Sequence, residues 1–263
     1  MSFRIKLRVL FAVSIFFCLV AVTTGTMASE GQKQYYELRI YSTRSEDQQK
    51  RIIDHWQNAA VPAYNRLGIR PIGVFTERDD SSTNHVYVLI PFDTLEAIAN
   101  VRKGLAADAV YQQAAAEYLS LSRPSAAYTR LESSVLVAFE GMNRMDVVSE
   151  SSEKRPTVFE LRTYMSPSEG KGDNKVKMFN DGEISVMKEV GLSPVFYGQT
   201  LAGTPMPSLV YMTSAVTMEE HDEHWRRFSN APGWVKLRDD PQYKDNMTGM
   251  IRVLLKRTSA SQI

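Results

Sequence analysis

The sequence predicts an α+β protein built from two copies of one strand-helix-strand-strand-helix-strand unit, whose antiparallel sheets close on each other into a barrel within a single chain. Three observations carry this prediction. A hexapeptide occurs twice, the spacing between its copies persists through the aromatic and turn residues that follow, and both copies alternate strand and helix patterns in the same order. Tyr36-Glu37-Leu38-Arg39-Ile40-Tyr41 returns as Phe159-Glu160-Leu161-Arg162-Thr163-Tyr164, 123 positions later. At that spacing Ser45 meets Ser168, Trp56 meets Phe179, Gly68 meets Gly191, Pro71 meets Pro194, Thr94 meets Thr217 and Tyr111 meets Trp234. Chance does not hold one register that long.

Residues 1–28 precede the copies. Arg4, Lys6 and Arg8 stand before an uncharged stretch from Val9 to Val22, and small and polar residues follow as far as Ala28, the layout of a secretory signal cleaved after Ala28. The 14-residue stretch is shorter than the roughly 20 residues that cross a bilayer as a helix. The sequence therefore predicts a periplasmic or secreted chain with no permanent membrane anchor. Cys18 is the only cysteine and leaves with the leader, so the mature fold relies on its core rather than on disulfides.

The first copy is assigned to residues 31–140. Tyr35 to Tyr41 is rich in β-formers, and Ser45 with Gln48 reads as a capping box opening a helix whose apolar positions run through Ile52, Trp56, Ala59, Ala63 and Leu67. Gly68 supplies its left-handed stop. Ile69 to Glu77 is predicted as a strand, Asp79 to Ser82 as a turn, and Val86 to Ile90 as the returning strand of a hairpin. Thr94 caps a second helix through Leu95, Ile98, Val101 and Leu105, and Ser134 to Phe139 closes the unit. A surface linker is expected over 141–156, because Ser149 to Arg155 is polar and charged. The second copy, 157–258, repeats the pattern, with Thr217 and Glu220 as a capping box and Met250 to Leu255 as its last strand. Such a unit lays both helices on one face of its sheet and leaves the other bare, and two sheets in one chain can cover each other.

The Glu-Leu-Arg-x-Tyr strand resembles the opening motif of the NIPSNAP family, and the second copy matches with Phe159 in place of the tyrosine. The helix that follows, the Gly68/Pro71 and Gly191/Pro194 turns and the Trp225 to Trp234 segment fit as well, so the resemblance spans about 35–256. It implies tandem ferredoxin-like units of the dimeric α/β-barrel class, in a family whose better-known members are mitochondrial. The leader here differs from a mitochondrial transit peptide, which would be amphipathic and Arg-rich.

Composition narrows the function. The chain is 43% hydrophobic and 23% charged with a net charge of +1, which fits a globular protein and offers no clustered positive charge for nucleic acid. It contains no G-x-S-x-G, no phosphate-cradling glycine loop and no dinucleotide fingerprint, and no catalytic residue is assigned. No cofactor or metal is assigned either. His221 and His224 lie three apart on a predicted helix, but their counterparts Ile98 and Val101 are apolar, which favours a structural role. Relatives of the barrel class include cofactor-independent oxygenases that use His, Trp and Asn, which draws attention to His55, Trp56 and Asn58.

The expected ligand-binding set is Glu37, Arg39, Tyr41, Glu160, Arg162 and Tyr164. Alternation puts each trio on one face of its strand, and the expectation is that Tyr36, Leu38 and Ile40 pack under the helices while the polar set meets in the lumen. There two guanidiniums and two phenols would receive a small polar or anionic ligand. Alternatively, each Glu pairs with the Arg two residues on and the cluster only satisfies itself. The sequence thus points to an exported small-molecule-binding or interaction scaffold, with a cofactor-independent oxygenase or isomerase acting in the lumen as the alternative. It accommodates a homo-oligomer.

Overall fold

The computed structural model describes residues 31–78, 84–147 and 155–263. The leader, the turn from Asp79 to Ser82 and the middle of the linker lie outside the described residues. In the first copy β1 (Tyr35–Ser42) leads into α1 (Glu46–His55), a π-helical turn (Trp56–Ala60) and α2 (Val61–Arg66). A hairpin of β2 (Gly73–Glu77) and β3 (Val86–Phe92) follows, then α3 (Leu95–Ala107), α4 (Ala109–Ala114), α5 (Ala116–Leu119) and β4 (Arg130–Ala138). The second copy runs β5 (Val158–Met165), α6 (Glu169–Met178), a π-helical turn (Phe179–Glu183), α7 (Ile184–Glu189), β6 (Ser193–Ala202), β7 (Ser208–Ala215), α8 (Met218–Asn230), α9 (Pro232–Arg238) and β8 (Gly249–Arg257).

The eight strands form a closed barrel in the order β1-β3-β2-β8-β5-β7-β6-β4, antiparallel throughout. Each copy contributes four adjacent strands, and two seams, β2 with β8 and β4 with β6, join them. The cover expected for each bare sheet face is therefore the other copy. The capping signals act one residue away from the expected box. Ser45 accepts from the Gln48 amide, but the Gln48 side chain accepts from Arg44 rather than Ser45. Glu220 likewise accepts from Val216 while its own amide donates to Thr217.

The strand alternation holds, but its faces are the reverse of the expectation. Tyr36 and Leu38 join Phe75, Leu89, Leu136, Phe159, Met212 and Leu255 in one cluster fed by every strand, which is the barrel interior. Tyr41 packs instead with Ile52, Trp56 and Tyr64 beneath the helices of the first copy, and Tyr164 with Phe179 and Tyr211 beneath those of the second. The physical reason is desolvation. The lumen is filled with aromatic and aliphatic side chains, whereas beneath the helices each Glu meets its own Arg and a further polar partner, Ser133 or His221, which offsets the cost of burying the charge. The linker is also less superficial than expected. Met142 is buried, and Met145 and Val147 pack against the lumen core. At the same end the final residues fold back along β2, where Thr258 and Gln262 bond to Val74 and Ile72, and Ile263 enters the core.

Candidate functional site

Because Glu37, Arg39, Glu160 and Arg162 lie on the helix-covered faces, they form two separate clusters and do not converge in the lumen. In the first copy, Arg39 grips Glu37 with two bonds, Nε to Oε1 at 2.7 Å and a terminal nitrogen to Oε2 at 2.9 Å. The Ser133 hydroxyl donates to Glu37 at 2.7 Å, and Arg39 also reaches the Tyr64 hydroxyl at 3.2 Å. This cluster satisfies itself, as the alternative reading of the motif expected.

The second copy is more heavily charged. Glu160 is fully buried, and its Oε1 accepts from Nε of Arg162 at 2.8 Å and forms an ion pair with Nε of Arg252 at 2.6 Å. Its Oε2 lies 2.7 Å from Nε2 of His221, whose Nδ1 lies 2.8 Å from the Asp222 carboxylate. The Arg162 guanidinium stacks 3.5 Å from the Trp225 ring centroid and bonds the Tyr164 hydroxyl, which in turn pairs with Tyr211 at 2.7 Å. Burial alone would push the Glu160 carboxyl up; the bond with His221 and the two guanidiniums outweigh it and hold the group below its usual range. The same bond raises the His221 imidazole against the opposing effect of burial. Arg252 faces Glu160 through Nε while its side chain stays 45% exposed, which leaves the guanidinium's other donors unspent on Glu160.

Two of these partners were not legible at constant spacing. Arg252 stands opposite Arg162 as Ser133 stands opposite Arg39, yet 123 positions before Arg252 lies Thr129, because the second copy has four residues fewer between the motif and its closing strand. His221 was visible, but the apolar character of Ile98 argued only against a metal role. His224 lies elsewhere, its ring against Gly191, where an added Cβ would sit 2.7 Å from Nε2. Among the described residues no group of three His, Cys, Asp or Glu is placed to hold a metal.

The His55 trio is divided. Trp56 is buried in the core, whereas His55 and Asn58 line a cavity of about 430 Å³ on the outer side of α1. The His55 ring stacks on Tyr118 at 3.8 Å, and burial, with help from the Arg39 charge, lowers its pKa to about 4. It is neutral at physiological pH.

A closed eight-stranded antiparallel barrel with two helical layers, folded from one chain, defines a tandem ferredoxin-like protein of the dimeric α/β-barrel class. The NIPSNAP family model matches residues 36–139 and 159–262, and this chain belongs to the NIPSNAP family. No curated protein matches it. Among solved structures, it is similar to a candidate monooxygenase from Lactobacillus acidophilus at 10% identity and a TM-score of 0.57, over 86% of this chain and 94% of that one. A candidate monooxygenase from Fusobacterium nucleatum matches at 12% identity and 0.55, over 86% and 92%. These likenesses concern the fold. A nipsnap family protein with unknown function from Agrobacterium tumefaciens matches 40% of this chain with 90% of its own, at 21% identity and a TM-score of 0.35.

Proposed function

We propose that this NIPSNAP protein is an exported, non-catalytic scaffold that binds a small anionic molecule on the helix-covered face of its second repeat. One observation carries the reading: a single buried carboxylate, Glu160, orients two guanidiniums and an imidazole, and one of them, the Arg252 side chain, stays 45% exposed. A guanidinium fixed in this way loses little freedom on receiving a carboxylate or phosphate in two-point fashion. The filled lumen, with aromatic and aliphatic side chains from every strand, supports a role at outer surfaces. Native mass spectrometry of the protein from its host tests the proposal: a retained small acid is expected, lost in Arg252→Gln, which should still unfold cooperatively although its melting temperature falls modestly as Glu160 loses one partner. Retention unaffected by that variant removes the site, and conversion of the bound molecule removes the non-catalytic part. The same spectrum reads export as the mass of a chain beginning at Ser29.

An oxygenase or isomerase reading has one observation in its favour, the cavity beside neutral His55 and Asn58. It places the chemistry outside the barrel rather than in the lumen, and predicts turnover that disappears in His55→Ala.

A further inference from the structure

We propose that the end of the barrel where Asp146, Val147 and Arg155 approach Val195 and Ile263 is a second binding site, for an organic monocarboxylate with a short apolar body. A cavity of about 380 Å³ opens there, within the range of about 300–1,000 Å³ typical of small-molecule sites. Val147, Val195 and Ile263 line it and belong at the same time to the lumen core, so an apolar body seated on them would extend that core. Gly73 makes room for this floor, since a Cβ there would lie 2.9 Å from Cδ1 of Ile263.

The wall is cationic. Arg155 and Lys188 both line the cavity, and among the described residues neither lies within ion-pair distance of a side-chain carboxylate. Arg257, at the end of β8, adds a third positive charge close by. Burial and the Arg155 charge together push its guanidinium below the ordinary value. Among the described residues Asp146 is the one acidic side chain on the wall, against Arg155 and Lys188. A carboxylate would be gripped by the Arg155 fork and drawn by Lys188 as a point charge, while the apolar floor selects against inorganic anions. This site shares no residue with the cluster around Glu160.

Octanoate, titrated into the full chain at low salt and followed by calorimetry, is the probe, with octylammonium as its counterpart of opposite charge. Saturable binding of octanoate and none of octylammonium is expected. Arg155→Met and Lys188→Met should each weaken octanoate about tenfold or more, the loss of one charged hydrogen bond, and Arg252→Gln should leave it unchanged. Thermal melts of the variants confirm that the fold is intact. Absence of saturable octanoate binding, equal binding of the amine, or unchanged affinity in both wall variants overturns the proposal. Loss of octanoate in Arg252→Gln alone would also overturn it, and would assign the acid to the second-repeat cluster instead.

Discussion

Glu37 and Glu160 occupy the same place in the motif and meet different company, which makes their arginines unequal. Arg39→Met leaves Glu37 with only the Ser133 hydroxyl, so a nearly buried carboxylate loses its counter-charge at a cost of about 3–5 kcal/mol. Arg162→Met leaves Glu160 with Arg252 and His221, and the loss should be nearer 1–3 kcal/mol. Urea unfolding of the two variants checks the order; equal losses would mean that Arg252 and His221 contribute nothing. His221 adds a pH dependence. Its folded pKa lies above the unfolded value through the bond with Glu160, assisted by Asp222 and opposed by burial, with Arg162 and Arg252 the other charges around that carboxylate. Its contribution is then complete below about pH 6.5 and disappears as pH rises through the folded value. The stability gap between the native protein and His221→Gln, about 1.5–3 kcal/mol at pH 6, should narrow toward pH 9. A constant gap would mean that the imidazole enters the fold neutral.

The helix after each motif strand shows what repetition preserves at the scale of an element. Both helices begin at a serine cap, and both carry a π-helical turn at the same place, Trp56–Ala60 and Phe179–Glu183. The aromatic residue that opens each turn packs into the core beneath it. Around this shared frame the buried chemistry differs. Where the first copy has Ile52 and Ala60, the second has Lys175 and Glu183, an almost wholly buried ion pair at 2.8 Å beside the rings of Phe179 and Trp234. Burial raises the Glu183 carboxyl despite Lys175. Lys175→Met alone should cost about 3–5 kcal/mol, because Glu183 is stranded, whereas Lys175→Ile with Glu183→Ala, restoring the first copy's pair, should return to within about 2 kcal/mol of the native protein. Chemical denaturation of both variants decides; a double variant as weak as the single one would assign the pair a role that apolar packing cannot fill.

At the scale of the molecule, the two seams make the copies one unit. Each half barrel alone would expose its share of the lumen core, including Tyr36, Phe75 and Leu136 from the first copy, together with the backbone edges of β2 and β4. A fragment of residues 29–145 is therefore expected to dimerise or aggregate, a second fragment replacing the missing copy. Analytical ultracentrifugation reads this directly. A dispersed, folded monomer would contradict the closed barrel as the source of stability.

Repetition, order of elements and helix starts were legible in the sequence, because they depend on local spacing: a motif repeated at 123 positions, serine and threonine caps, glycine stops and strand alternation. The Glu-Arg pairing within each motif strand was legible for the same reason, since residues two apart share a face. Which face looked inward was not, because alternation defines two sets without saying which one a closed barrel encloses. That choice belongs to the assembled tertiary structure, where eight strands fill the lumen with apolar side chains and the helical layers supply the polar partners that a buried carboxylate needs. Arg252 and His221 reach Glu160 from elements 92 and 61 residues further along the chain, and a contact of that separation exists only once the strands have paired and α8 has docked.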